Sequence, residues 1–195
     1  MNLAKMLQTH RTIRVAGVDD AHCADKSRGS KVYFSAIVCG GTRFEGMLWG
    51  DLEKDGTDAT DKIASLLGES KFFPQLHLVL LDGITFGGCN VVDLSQLHDR
   101  LNLPIVAVMR RPPNMERFEH VINKFDDAEE RWRCTQAAGE VHQLDGWTFQ
   151  CVGEEPEIIA KSLQRLTDNG KVPETLRLAH LIGSAVMLGE SSNRA

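Results

Sequence analysis

The sequence predicts an α/β fold whose mixed sheet begins with three antiparallel strands, continues with parallel βα units and is flanked by helices. Two observations support this prediction. Near the amino terminus, three apolar segments are joined by short polar or glycine-containing turns, which is typical of an antiparallel meander. Farther along, short apolar runs alternate with segments of helical periodicity, which is typical of parallel βα units. No repeat or linker interrupts the pattern, so we expect a single domain over residues 1–195.

The first three strands are expected in apolar segments that end at polar or glycine residues. They are TIRVAGVDDA (12–21), KVYFSAIVCGG (31–41) and RFEGMLWGDL (43–52). The periodicity then changes in DATDKIASLLGES, where Ile63, Leu66 and Leu67 have helical spacing and Gly68 follows them. This segment therefore predicts the first long helix.

Two continuous apolar runs, 76–83 and 104–111, predict strands that are buried on both faces. The other predicted elements are helices at 91–101, 114–125 and 126–139, a short strand at 146–153, and closing helices at 155–170 and 172–191. The resulting order is β-β-β-α-β-α-β-α followed by further helices. This is the order of ribonuclease H-like domains.

Composition limits the classes of function. The net charge of −5 argues against broad, non-specific coating of nucleic acid, although a local basic patch is compatible with it. The five cysteines include no CxxC pair, so a zinc site is not expected, and their odd number indicates reduced thiols and a cytoplasmic location. There is no signal-peptide core and no apolar run of about 18 residues, so we expect no membrane association.

Asp19 and Asp82 each follow an apolar strand. If the first and fourth strands are neighbours, the two carboxylates lie close together, and a divalent cation between them would remove their repulsion. Oxygen ligands favour Mg²⁺ or Mn²⁺ over zinc, and these ions support phosphoryl transfer. Asp20 is the competing choice at the first strand end, but its side chain should point to the opposite face of the sheet.

The loop after Asp82 is rich in glycine, which allows sharp turns and the close approach of a ligand. Its glycines are Gly83, Gly87 and Gly88. The alternative is that Asp82 only caps a turn or the next helix. Asn90 and Asp93 are expected either to support the site or to cap the following helix, and the cap is favoured for Asp93. Cys89 has no histidine placed near it by the sequence, so a nucleophilic role is not favoured.

A third carboxylate for the metal would come from KDGTDATDKI or from the far carboxyl terminus. The first of these segments contains Asp55, Asp58 and Asp61, where a helix is predicted to begin. Position alone favours Asp58 as the helix N-cap, with Asp61 in the capping-box position. Metal ligation by Asp58 is the alternative.

The last predicted helix is apolar over most of its circumference, but Arg177, His180 and Ser184 share one narrow stripe. A polar stripe on a buried helix requires partners. A buried histidine that only satisfies core hydrogen bonds is the alternative. Arg110 and Arg111 end a predicted strand and are interpreted either as surface residues or as phosphate contacts beside the metal.

Several motifs together resemble the endonuclease dU family, also known as domain of unknown function 99. This family is distantly similar to endonuclease V within the ribonuclease H-like superfamily. The matching motifs are GVDDA, DGTDAT, LLDGITFGGCNVVDL, LPIVAVMRRPP and VPETLRLAHLIGSAVMLGESSNR, in the family's order over nearly the whole chain.

The resemblance implies roles for particular residues. Asp19 and Asp82 match two catalytic, metal-binding aspartates of endonuclease V, and Asp58, or alternatively Asp55, falls in the region of its glutamate. Arg110 stands at the position of a lysine. His180 stands where endonuclease V has an acidic residue, which changes the charge of the site.

The resemblance also implies a function, namely a Mg²⁺- or Mn²⁺-dependent endonuclease that acts near deaminated or damaged bases, with DNA favoured over RNA. The expected substrate contacts come from Gly83, Gly87, Gly88, Asn90, Arg110 and Arg177. The wedge motif PYIP of endonuclease V is absent, and MLWGDL, with Trp49 as a candidate stacking residue, stands nearby. Two alternatives are a module that binds nucleic acid or protein without cutting and, less favoured, a hydrolase of small phosphorylated metabolites.

Overall fold

The computed structural model describes residues 2–192; Met1 and residues 193–195, which include the end of the last matched motif, lie outside it. Within that range, seven strands form one mixed sheet in the order β3-β2-β1-β4-β7-β9-β8. The strands are β1 Arg14–Asp20, β2 Lys31–Gly40, β3 Arg43–Glu53, β4 Leu78–Asp82, β7 Ile105–Met109, β8 His142–Leu144 and β9 Trp147–Val152. Two short strands, β5 Thr85–Phe86 and β6 Asn90–Val91, form a separate hairpin.

The pairing of the strands confirms the predicted mixed sheet. β1, β2 and β3 form an antiparallel meander. β4 lies parallel to β1, and β7 lies parallel to β4. In the parallel register Val18 pairs with Leu81, so the carboxyl ends of β1 and β4 meet at one edge of the sheet.

Helices cover both faces of the sheet. They are α1 Leu3–Gln8, α2 Ala59–Gly68, α3 Leu94–Leu101, α4 Met115–Ile122, α5 Ala128–Ala137, α6 Pro156–Arg165 and α7 Glu174–Leu188, with a 3₁₀ turn at Phe73–Gln75. One core lies between the sheet and α2 and α3, and a second core lies between the sheet and α1, α6 and α7. Alternate residues of β1 enter opposite cores, with Val15 in the second and Ala16 and Val18 in the first.

Helix α7 lies directly on β1 because Gly17 has no side chain. A Cβ atom at Gly17 would lie 2.5 Å from Cβ of Thr175 and 2.8 Å from its backbone carbon. Farther along the helix, Gly183 lies close to Ala21 in the same way. This close approach brings the middle of α7 next to the carboxyl end of β1.

The structure differs from the sequence prediction in local details. The helix expected at 91–101 begins only at Leu94, because Asn90–Val91 pairs with Thr85–Phe86. Helix α1 and strand β8 were not predicted, since both are short. No helix in the part of the chain that the structure describes is long and apolar enough to cross a membrane. The single domain over residues 1–195 stays a prediction.

Candidate active site

Asp19 and Asp82 end the two central parallel strands, β1 and β4, at the same edge of the sheet. Asp19 is buried, with 5% of its surface exposed, and Asp82 is partly buried. Both lie within electrostatic reach of Arg110, which follows β7. The structure therefore brings together three of the residues that the sequence analysis selected.

The carboxylates are held in a site that disfavours their charged forms. Burial, followed by the neighbouring Asp82 and Asp20 carboxylates, raises the pKa of Asp19 to about 8, against a smaller opposing effect of Arg110. Burial also raises the pKa of Asp82, which Arg110 and His180 partly oppose. A cation at this point would favour ionisation of both groups.

His180 completes this group from helix α7. Its Nδ1 atom lies 3.1 Å from Oδ2 of Asp19, and its side chain is about one-third exposed. The helix is tied to the sheet nearby, where Oγ of Ser35 donates to the carbonyl of Ala179 at 3.2 Å. The same imidazole that shares a hydrogen bond with Asp19 therefore also faces the opening of the site.

Arg177 is oriented away from this group, although it belongs to the same predicted stripe. Its guanidinium donates to both carboxylate oxygens of Glu174, at 2.6 and 2.8 Å. One turn of α7 thus separates a part-buried ion pair from the histidine that contacts Asp19. Sequence spacing alone did not distinguish these two positions.

Asp20 holds the glycine-rich loop. As expected from strand alternation, it lies on the opposite face of β1 from Asp19, and its Oδ2 accepts a hydrogen bond from the backbone N–H of Gly87 at 2.8 Å. Burial raises the pKa of Asp20, and the N–H of Gly87 opposes the shift. Asp20 therefore fixes the position of the loop after Asp82.

The second half of the loop is packed against the turn after β3. Gly88 has φ +98°, and a Cβ atom there would lie 2.3 Å from Oδ1 of Asp55. That carboxylate oxygen accepts from the backbone N–H of Cys89 at 2.9 Å. The backbone N–H of Asp55 in turn donates to the carbonyl of Gly87 at 2.9 Å. Only glycine fits at position 88 in this arrangement.

Asp58 stands at the N-cap position of α2, but its side chain makes no capping hydrogen bond. Its Oδ1 accepts instead from the N–H of Glu53 at 3.1 Å and from Nδ2 of Asn90 at 2.7 Å. Asn90 is fully buried, and its Oδ1 caps the helix by accepting from the N–H of Ala59 at 3.0 Å. Asp61, expected in a capping box, pairs with Arg100.

These contacts place Asp58 and Asn90 in a network that joins α2 to the loop after Asp82. The hydrogen bonds of Asp58 run to that network and not to Asp19 or Asp82. Asp93 caps α3, as predicted, by accepting from the N–H of Gln96 at 2.9 Å.

Arg131 lies in the helix predicted at 126–139, but the sequence analysis gave it no role in the site. It is only 2% exposed and donates five hydrogen bonds. Two reach the carboxylate of Asp127, and the others reach the carbonyls of Asp55, Gly56 and Cys89. The guanidinium therefore clamps the turn after β3 to the glycine loop. The i,i+4 spacing of Asp127 and Arg131 was the one signal available in the sequence.

Two other predicted residues have simple environments. Burial and the neighbouring Asp55 carboxylate raise the pKa of the Cys89 thiol, which is the opposite of what activates a nucleophile. The ring of Trp49 stacks on that of Tyr33, with centroids 5.9 Å apart and planes at 23°. Trp49 pairs with Ser35, and Ser35 pairs with Asp19, so Trp49 lies two strands from Asp19.

The donors at Asp19 and Asp82 fit a hard cation. They are carboxylate oxygens whose ionisation is opposed by burial, and the arginine near both of them, Arg110, is exposed. Among residues 2–192, no three histidine, cysteine, aspartate or glutamate side chains are already grouped as metal ligands. The site thus supplies two carboxylates, and further ligands would be water or substrate oxygens, as is usual for Mg²⁺.

The sheet order and the strand-end carboxylates define a ribonuclease H-like domain, and solved structures of the same fold agree. Endonuclease V of Bacillus subtilis superposes with a TM-score of 0.58 at 11% identity, covering 95% of this chain and 88% of that chain. Endonuclease V of Ciona intestinalis, crystallised with DNA containing an inosine, gives a TM-score of 0.55 at 14% identity, covering 87% and 84%. At these identities the similarity establishes the fold.

The chain belongs to the endonuclease dU family, whose family model matches residues 11–187. A "UPF0215 protein" of Methanothermobacter thermautotrophicus is 36% identical over 192 residues, covering 96% of this chain and 94% of the relative. A crystal structure of a protein of unknown function from Archaeoglobus fulgidus gives a TM-score of 0.84 at 34% identity, covering 89% of this chain and 98% of that chain. Family and fold together support a nuclease-like role.

Proposed function

We propose that this protein is a divalent-metal-dependent endonuclease that hydrolyses phosphodiester bonds of nucleic acid at deaminated or damaged bases, with DNA favoured over RNA. One observation carries the proposal: Asp19, which is buried, and Asp82, which is partly buried, have raised pKa values and lie together at the ends of parallel strands. Perturbed titratable groups at such a strand edge are typical of functional sites. Five free cysteines among the described residues fit a cytoplasmic location.

In this proposal Asp19 and Asp82 hold Mg²⁺ or Mn²⁺. Held by these two carboxylates, such an ion would activate a water molecule and stabilise charge on the phosphoryl group. Arg110 neutralises the scissile phosphate, since it is exposed and lies within electrostatic reach of both carboxylates. His180 orients the Asp19 carboxylate through Nδ1 and leaves Nε2 to contact water or substrate.

The remaining selected residues act around this centre. Asp20 and the glycines at 83, 87 and 88 shape the loop that the nucleic-acid backbone approaches. Asp58 and Asn90 hold that loop against α2, so their contribution to the metal site is through its geometry. Arg177, bound to Glu174, contributes a substrate contact only if that ion pair opens.

A cleavage assay tests the proposal. Labelled single- and double-stranded DNA and RNA, carrying uracil, hypoxanthine or normal bases, are incubated with Mg²⁺ or Mn²⁺. The native protein should cut at least one lesion-containing substrate, and Asp82→Asn should lose that activity while it stays folded. Asp99→Asn, which changes an exposed aspartate on α3, is the matched control and should cut normally.

A second candidate is a module that binds nucleic acid without cutting it. It is favoured by the hydrogen bond of His180 to Asp19, because an imidazole occupies one carboxylate oxygen that a metal would otherwise use. Binding of the same oligonucleotides, equal in native and Asp82→Asn proteins and without any metal-dependent cleavage, would support this candidate.

A further inference from the structure

A cavity of about 520 Å³ lies directly beside the carboxylates. Its walls come from the loop after β1, the turn after β3, the glycine loop and the end of α7. The polar side chains that line it are His22, Cys23, Lys26, Lys54, Asp20, His180, Ser184 and Ser192. Because Asp20 and His180 also belong to the carboxylate region, the cavity and the candidate metal site open into each other.

The charge of this cavity differs from that of the molecule. Aspartate and glutamate outnumber lysine and arginine in the chain, 27 to 22. The residues that line the cavity include two lysines, Lys26 and Lys54, two histidines and one carboxylate, Asp20, while the Asp55 carboxylate pairs with Lys54. Asp20 is already engaged with the N–H of Gly87. The lining therefore suits a ligand with negative charge and several acceptor oxygens.

Lys54 is held in place for such a ligand. Its side chain is only 16% exposed, and its Nζ lies 3.1 Å from Oδ2 of Asp55. A Cβ atom at Gly88 would lie 3.0 Å from this Nζ, so the ammonium can occupy its position because residue 88 has no side chain. The carbonyl of Lys54 also accepts from the N–H of Gly29, which fixes the backbone. An ammonium ordered in this way loses little side-chain entropy when it binds a phosphate.

Lys26 lines the same cavity from the loop after β1. It is exposed, and its Nζ donates to the carbonyl of Cys23 at 2.7 Å, which bends the side chain back over its own loop. That hydrogen bond uses one of three ammonium donors. The two lysines thus offer donors from two separate segments to one cavity.

We propose that this cavity binds a backbone phosphate of the polynucleotide next to the one that is cut, with Lys54 and Lys26 as its ligands. The inference rests on the proposed function, because it places the flanking phosphate relative to Asp19, Asp82 and Arg110. Arg110 follows β7, which pairs with β4 on the side away from β1, whereas the loop after β1 leads to β2 on the other side. The nucleic-acid strand then runs from Arg110, across the carboxylates, to Lys54. A free nucleotide has the same phosphate chemistry, and the experiment separates the two sources.

Binding is measured in the Asp82→Asn background, so that the result does not depend on cleavage. The probes are a fluorescent ten-nucleotide single-stranded DNA and the corresponding mononucleotide, titrated at several salt concentrations. Lys54→Met and Lys26→Met should each weaken oligonucleotide binding about threefold to tenfold and reduce the slope of log K against log salt by up to about one. Lys54→Arg should retain binding, and thermal unfolding verifies that each variant is folded.

Lys62→Met, which removes an exposed lysine on α2, is the control and should leave affinity and slope unchanged. Equal affinity and slope in the Lys54→Met, Lys26→Met and control proteins would overturn the subsite. Equally tight binding of the mononucleotide, weakened by the same lysine variants, would overturn the assignment to a polynucleotide. If the native protein does not cut any substrate but its oligonucleotide binding depends on the two lysines, the proposed nuclease activity is wrong and the phosphate subsite still stands.

Discussion

Two regions of this protein bury charged groups in opposite ways. Arg131 is 2% exposed, and its guanidinium donates to Asp127 and to three backbone carbonyls, with the ring of Phe125 4.3 Å from its carbon. Asp19 is 5% exposed, but its neighbours are two further carboxylates and one histidine, and its pKa is raised to about 8. The charge of Arg131 is fully paired, whereas Asp19 lies beside two further carboxylates whose effect Arg110 opposes only in part.

The difference separates a structural role from a functional one. A buried charge that is completely hydrogen-bonded holds segments together, and Arg131 does this for the turn after β3 and the glycine loop. A buried group of like charges lowers stability unless a ligand compensates it. We therefore expect substitutions in the two regions to change stability in opposite directions.

The largest effect is expected for Arg131→Met. The substitution leaves buried carbonyls at Asp55, Gly56 and Cys89 without their donor and removes the pairing of Asp127. We expect the free energy of unfolding to fall by about 3–5 kcal/mol. Urea denaturation followed by circular dichroism measures it.

Arg133→Met is the matched control, because Arg133 lies on the same helix and its side chain is 57% exposed. Its ion pair with Glu130 joins two exposed side chains, and its 3.3 Å contact with the buried Asp93 comes from a half-exposed guanidinium, so its loss should cost clearly less stability than the loss of Arg131. Similar losses in the two variants would contradict the clamp that we assign to Arg131.

Gly17→Ala is expected to have the next largest effect. The added methyl would lie 2.5 Å from Cβ of Thr175 and would push α7 away from β1. We expect a loss of about 2–3 kcal/mol and weaker cleavage, since the shift also moves His180 from Asp19. Thermal unfolding and the cleavage assay measure the two consequences.

Gly68→Ala is the control for Gly17→Ala, because it adds the same methyl group where there is room for it. A Cβ atom there would lie 3.7 Å from Leu101, an ordinary contact, and alanine favours the helix. It should leave stability unchanged or raise it by less than about 1 kcal/mol. Equal destabilisation by both alanines would show that the approach of α7 to β1 is not the cause.

Asp19→Asn should stabilise the metal-free protein. Because the pKa of Asp19 is raised to about 8 from 3.8, folding favours its protonated form. That contribution is fully present below pH 3.8 and is lost as pH rises through about 8. Above pH 8 the asparagine variant should therefore be more stable than the native protein.

Thermal unfolding between pH 5 and pH 9 without metal tests this expectation. The melting temperature of the native protein should decline relative to that of the variant as pH rises. Parallel curves would mean that the carboxylate is not held in an unfavourable environment.

The smallest effect is expected for Cys89→Ser. The Cys89 thiol has a raised pKa and lies outside the carboxylate group, so its loss should change the cleavage rate less than about twofold. The native thiol should also react slowly with an alkylating reagent at pH 7. A loss of activity comparable to that of Asp82→Asn would contradict this expectation and support Cys89 as a nucleophile.

Local patterns predicted much of the fold and the centre of the site. Apolar strand patterns located β1 and β4. If these strands are neighbours, their carboxyl ends bring Asp19 and Asp82 together, at the edge of the sheet where ligands usually bind. The helical spacing of α7 selected His180, which contacts Asp19. These inferences needed only short-range patterns and the assumption that the first and fourth strands are neighbours.

The supporting network could not be predicted in the same way. Asn90 caps α2 from 31 residues away, and Arg131 reaches the carbonyl of Asp55 from 76 residues away. Such contacts depend on how loops meet in the folded protein, and no local periodicity encodes them. Asp58 illustrates the limit, because it occupies the N-cap position predicted for it while its side chain bonds to Asn90 instead of the helix.

The most direct test of the central claim is the effect of Mn²⁺ on thermal unfolding at pH 7.5, where burial opposes ionisation of Asp19. At a hundredfold excess over the dissociation constant, a ligand specific for the folded state adds about 2.7 kcal/mol. We predict that Mn²⁺ raises the melting temperature of the native and Asp99→Asn proteins by several degrees and that of Asp82→Asn little or not at all. An equal rise in all three proteins would contradict a metal site at Asp19 and Asp82.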